Sequence, residues 1–175
     1  MKKLWAPWRL EYVGKDDAGP CVFCLEDDPA QDAARRVLLR GRHSFVIMNR
    51  YPYSNGHLLV VPYRHLDMPA DFTAEEVLEV HQLMVLCQSL LREACAAQGF
   101  NIGWNIGRVA GAGITDHLHL HVVPRWSGDT NYLPVLADVR VIPQHLDDTY
   151  ALLKQTLERQ QQAADALCNS DNFHL

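Results

Sequence analysis

Residues 116–126 read DHLHLHVVPRW, so His117, His119 and His121 alternate with leucines and run into Val122-Val123-Pro124. In an extended strand this alternation puts three imidazoles on one face, neighbours ~7 Å apart at ~3.3 Å of rise per residue. Leu118, Leu120 and Val122 then cover the other face. Two chemistries use such a row. Three histidines can hold a catalytic zinc. A neutral imidazole, with an ordinary pKa near ~6.5, can instead attack phosphorus as a covalent nucleophile. The residues by themselves leave both open.

Just upstream, Asn105 leads into a loop with Gly107, Arg108, Gly111, Gly113, Ile114 and Thr115. Glycines let backbone N–H groups come close to an anion. The segment lacks the Gly-Lys-Ser/Thr of a Walker loop and has no Rossmann fingerprint. Beside three histidines it reads as a phosphate cradle, with Arg108 a candidate phosphate contact. Farther upstream, Cys21-Val22-Phe23-Cys24 is a C-x-x-C pair. No βαβ pattern follows it, which weakens a redox reading; a structural zinc would need two more ligands.

These groups need a scaffold. Residues 36–40, 44–49 and 57–61 read as three strands in close succession, an antiparallel meander, because parallel pairs need long crossovers. Thr73 and Glu76 fit a capping box, with Phe72 and Val77 as a hydrophobic staple. The helix then presents Val77, Val80, Met84, Cys87, Leu91 and Ala94 as one apolar stripe and stops at Gly99. Residues 100–106 and 116–123 supply a fourth and a fifth strand. A second main helix over 144–162 turns Leu146, Tyr150, Leu153 and Leu157 inward, ahead of a polar, fraying tail at 163–175. The class is α+β, in one domain spanning 1–175 with an arm over residues 1–20.

Composition sets outer limits. The chain has 175 residues, 48% of them hydrophobic, and a net charge of −5, which argues against a nucleic-acid partner. No apolar run approaches the ~20 residues of a membrane span, and no secretory signal is evident, so the expected compartment is the cytoplasm. There the five cysteines are expected as thiols. Cys87 and Cys95 read as core, and His81 and His145 as surface.

His117-Leu118-His119-Leu120-His121-Val122-Val123 resembles the signature of the histidine triad (HIT) superfamily. Asn55-Gly56-His57-Leu58-Leu59-Val60-Val61-Pro62 resembles its Pro-Gly-His segment, with Asn55 in place of the usual proline. The flanks Leu4-Trp5-Ala6-Pro7-Trp8-Arg9 and Val123-Pro124-Arg125-Trp126 look most like the branch that includes bacterial diadenosine tetraphosphate (Ap4A) phosphorylases. The resemblance implies a five-stranded antiparallel sheet with two main helices, paired into a homodimer. It implies His119 as nucleophile, His121 on the leaving oxygen and His57 in support. Asn105 and the backbone of Gly113, Ile114 and Thr115 would hold phosphate, Asn49 the ribose, and Ile47 the base. It also implies a structural zinc on Cys21, Cys24, His65 and His117, and no organic cofactor. The substrate would be a nucleotide such as Ap4A, with phosphate or water as acceptor. Two alternatives stay open: a metal-dependent enzyme in which the three triad histidines share one ion, and a nucleotide sensor with little turnover. Arg125 and Trp126 would touch the dimer partner or the substrate.

Overall fold

The computed structural model describes residues 20–26, 28–129 and 144–170. The arm with its Trp-Ala-Pro-Trp-Arg motif, the last five residues with His174, and the side chain of Cys168 lie outside the described residues. Five strands form one sheet: β1 (Val37–Arg40), β2 (Ser44–Met48), β3 (Leu58–Pro62), β4 (Gly99–Trp104) and β5 (Leu120–Arg125). Their order is β1-β2-β3-β5-β4 and every neighbouring pair is antiparallel. A short turn over 41–43 joins β1 to β2 and a longer loop over 49–57 joins β2 to β3, making the expected meander. Among the described residues three α-helices complete the α+β architecture: the short α1 (Asp32–Arg35), α2 (Ala74–Cys95) and α3 (Leu146–Ser170). Among the described residues, no helix is long and apolar enough to cross a membrane.

Strand alternation divides the buried residues between two faces. Val46, Met48, Leu58, Val60, Leu120 and Val122 point toward the helices and join Leu83, Leu90 and Leu91 of α2 and Leu153 and Leu157 of α3. Burying each such side chain contributes roughly 1.5–3 kcal/mol. Phe45, Ile47, Leu59 and Val61 point the other way, where Phe23 and Ile114 cover them. His57 and His121 share the parity of this second face. The functional groups therefore sit on the side of the sheet that α2 and α3 leave alone.

Helix α2 begins as its sequence says: Thr73 accepts from the Glu76 N–H, and the Glu76 carboxylate accepts from the Thr73 N–H. Its buried face is rotated from the expected stripe. Val77 is 54% exposed, whereas Glu76 is buried beside Val80, Leu83, Cys87, Leu90 and Leu91. The cause is Arg64, which chelates both carboxylate oxygens of Glu76 at 2.7 and 2.9 Å. Phe72, freed from any staple, packs on Trp104 instead. The helix ends at Ala96 in a left-handed conformation, before Gly99, which opens β4. Glu76→Ala is expected to cost about 1 kcal/mol, the usual worth of a lost cap, read as a fall in thermal midpoint of roughly 2–4 °C. The expected tail is shortened too, since α3 continues to Ser170.

The largest departure concerns the triad. Only His121 lies inside β5; His117 and His119 precede it. The β3–β5 ladder ends at Val60↔Leu120, two steps short of Pro62. Proline has no N–H to offer the next rung. Its carbonyl instead accepts from the His117 ring at 2.9 Å, and the Leu118 N–H turns to Leu66 O at 2.7 Å. The chain leaves the sheet at the point where its first two histidines must face different tasks.

Candidate active site and metal centre

The Gly56 that precedes His57 has φ +74°, and an added Cβ would meet Leu91 at 2.9 Å, so only glycine lets the loop lie this close to α2. Asn55, where proline is usual, reaches α3 instead: its Oδ1 accepts from Thr149 at 3.1 Å. The fully buried His57 ring is thereby fixed, and its partners assign its proton. The Tyr53 backbone N–H, which can only donate, meets His57 Nδ1 at 3.1 Å. The Asn49 amide donates to the same atom at 3.2 Å, its orientation set by Tyr51 N–H on Oδ1. His57 is therefore neutral with its proton on Nε2, which donates to His121 Nδ1 at 3.0 Å. The proton of His121 is left on Nε2. Asn105 lies 3.2 Å from that nitrogen, its amide turned so that Oδ1 accepts.

Burial, and then the neighbouring His119, push His121 from the usual 6.5 down to about 4. Between those values the unfolded chain binds more protons than the folded one, so stability falls as pH drops through the window. The expected loss is of order 3 kcal/mol at most. Urea denaturation of the wild type across this range should show it, and His121→Gln should flatten the dependence.

His119 is 7% exposed, and burial lowers its pKa. Its Nδ1–H donates to the carbonyl of His117 at 2.8 Å. A carbonyl accepts only, so the lone pair of the neutral ring is confined to Nε2, which has no hydrogen-bond partner among the described residues. Phe23 packs against this ring with centroids 4.9 Å apart. The arrangement is that of an aimed nucleophile.

His117 faces elsewhere. Its Nε2–H is held by Pro62 O, which turns Nδ1 toward Cys21 Sγ at 3.3 Å and Cys24 Sγ at 3.8 Å. His65 Nδ1 lies 3.3 Å from Cys24 Sγ, and its Nε2 is 3.5 Å from the Asp116 carboxylate. All four ligand atoms fall within 4.8 Å of one another. A tetrahedron with Zn–S ~2.3 Å and Zn–N ~2.05 Å has edges of ~3.3–3.8 Å; the three thiol–imidazole pairs at 3.3, 3.3 and 3.8 Å match it, and the widest separations, up to 4.8 Å, would close by about 1 Å around a four-coordinate ion. Each ring is oriented by a partner on its other nitrogen, as metal-bound histidines usually are.

The HIT domain profile matches residues 30–128, more than half of the chain. An AP-4-A phosphorylase of Mycobacterium tuberculosis is 37% identical over 171 residues, covering 91% of this chain and 86% of that protein. The chain belongs to the HIT family. An asymmetrical bis(5'-nucleosyl)-tetraphosphatase of Schizosaccharomyces pombe is 30% identical over 94 residues, 54% of this chain and 51% of that one. A Zn-bound histidine triad protein of Mycobacterium smegmatis superposes with a TM-score of 0.62 at 29% identity, covering 77% of this chain and 91% of that one.

In this HIT domain two groups of the expected residues converge. His57, Asn105, His119 and His121 converge on the open face of the sheet. Cys21, Cys24, His65 and His117 form the single convergent group of metal-ligating side chains found among the described residues. The idea of one ion shared by the three triad histidines loses its geometry, since His117 Nδ1 faces the thiols while the Nδ1 atoms of His119 and His121 are already engaged. Ile47 lies beneath Ile114 in the second core, and among the described residues no backbone bond takes up the N–H groups of Gly113, Ile114 or Thr115. Arg108 is exposed in a 3-10 turn. The Asn49 side chain is engaged with His57 and Tyr51. Arg125 bonds Asp129 and Asn101, and the Trp126 indole donates to Cys95 O, so both are held within the chain. Cys87 and Cys95 do pack into the helix-facing core.

Two residues went unread in the HIT sequence. Phe23 sits between the paired cysteines, an aromatic in a turn too short to hide one. Tyr53 lies in the turn before His57, and its ring stacks on His121 at 5.6 Å and 16°.

Proposed function

We propose that the chain is a nucleotidyltransferase that cleaves Ap4A through a nucleotidyl-His119 intermediate and passes the AMP group to inorganic phosphate. The observation that carries this reading is the 2.8 Å bond from His119 Nδ1 to His117 O, which leaves a single lone pair on Nε2. That lone pair attacks the α-phosphorus, the bond from phosphorus to the bridging oxygen breaks, and ATP departs with its electrons. The ring keeps Nδ1–H, and the carbonyl of His117 stabilises the positive charge. His121 Nε2–H donates to the leaving oxygen. Asn105 and the backbone N–H groups of Gly113, Ile114 and Thr115 hold phosphate oxygens, Asn49 faces the ribose, Ile47 lines the base pocket, and Arg108 adds charge. Fixed donors of this kind supply most of the catalysis in phosphoryl transfer.

In the second half, a phosphate dianion attacks, the N–P bond breaks, and ADP forms with the proton the phosphate brought. Water in the same place must shed a proton, and His121 with its proton on Nε2 is a donor there. This supports phosphate as acceptor, as does the AP-4-A phosphorylase relative. The tetraphosphatase relative supports the hydrolytic alternative, which gives AMP and ATP. Incubation with Ap4A, with and without phosphate, separates them: ADP that appears only with phosphate is expected, and AMP in both would refute phosphorolysis.

Zinc on Cys21, Cys24, His65 and His117 would be structural, since four protein ligands leave no position for water. A reducing compartment such as the cytoplasm would keep the thiols available. A homodimer through β4 is supported by its place at the sheet edge and by exposed Ile102 and Ile106. Sedimentation should give two copies, and Ile102→Asp one.

A further inference from the structure

The proposed double displacement constrains where the acceptor binds. His119 enters opposite the leaving oxygen; in the second step it becomes the leaving group, and the acceptor enters from the side that ATP vacated. Groups that surround the departing oxygen therefore also surround the incoming one. Asn105 marks that place, because its amide lies 3.2 Å from His121 Nε2 and 3.5 Å from Tyr53 Oη. The Tyr53 ring stacks on His121 at 5.6 Å and meets His57 at a tilt, with centroids 4.8 Å apart. Tyr53 is half-buried, and its hydroxyl lies beside the Asn105 amide.

Resting on the reading above, we propose that Tyr53 Oη and His121 Nε2–H, both oriented by Asn105, form the acceptor subsite and select phosphate over water. A phosphate ion offers several oxygens to these donors at once, whereas water offers one. The phenol donates to a phosphate oxygen while another oxygen attacks the α-phosphorus of nucleotidyl-His119. The N–P bond breaks and His119 recovers its lone pair. The proton of the phosphate leaves with ADP, and no oxidant or further reactant is needed. Without the phenol, water competes better for the same intermediate.

The test is the ratio of ADP to AMP formed from Ap4A over a series of phosphate concentrations, for the wild type and Tyr53→Phe. The ratio is decided after the intermediate forms, so it is insensitive to the amount of folded protein and to the speed of the first step. Losing one hydrogen bond to a charged group is expected to raise the phosphate concentration that gives equal ADP and AMP about tenfold. Tyr53→Leu, which also loses the ring, should shift the ratio at least as far. Identical ratios in wild type and Tyr53→Phe would overturn the role of Tyr53 and leave the phosphorylase reading standing. AMP alone at every phosphate concentration in the wild type would overturn both.

Discussion

A His119→Ala protein should fold, bind Ap4A, and turn it over at least ~10³-fold more slowly than the wild type, as removal of a covalent nucleophile demands. No neighbour can replace it. His117 is fully buried with both ring nitrogens committed, and His121 is held by His57 and Asn105. His121→Ala should cost less, about 10²–10³-fold, because it removes one donor to the leaving oxygen and spares the attacking atom. The comparison separates the roles of two histidines that the sequence presents as equals. Product formation measured under saturating Ap4A checks it, with Ap4A binding by the alanine protein as the control for folding.

The second large effect concerns stability. If zinc is held by Cys21, Cys24, His65 and His117 as proposed, its chelation, or Cys24→Ser, should lower the thermal midpoint by roughly 8–16 °C, on the basis of about 4 kcal/mol and ~2–4 °C per kcal/mol for a chain of this size. The cluster ties three remote segments: the turn of Cys21 and Cys24, the loop that follows β3 at His65, and the entry to β5 at His117. Loss of the ion leaves two thiols and two imidazoles facing one another without a common partner. Metal binding is coupled to folding in such sites. Residual activity of the folded fraction should persist, since no step runs through the metal. Differential scanning calorimetry with and without a chelator reads the stability directly, and an unchanged midpoint in metal-loaded protein would count against the site.

The parts of this molecule that could be read from its sequence were those with local causes. The capping box of α2 needs only Thr73 and Glu76, three residues apart. The alternation of the triad and the spacing of the paired cysteines are local as well. What escaped notice was set by contacts from far along the chain. Val77 lies outside the core because Arg64, twelve residues before Glu76, draws that carboxylate inward, and a hydrophobicity pattern cannot show a buried glutamate. The histidine strand begins late because Pro62, on a neighbouring strand, has no N–H for the next rung. Helix α2 stops at Ala96 although an alanine carries no turn signal, and Gly99 serves β4. Tyr53 gave no signal at all, since its value lies in a stacking contact across 68 residues of sequence, with His121.

The account depends most on Nε2 of His119 meeting phosphorus. Acid-stable trapping being unsuited to a phosphoramidate, the reaction with radiolabelled Ap4A should be quenched in alkali within the first turnover and the labelled peptide sequenced. Label on His119 alone is the expected result. Label on another residue, or a full turnover with no covalent nucleotide at any time, would contradict it.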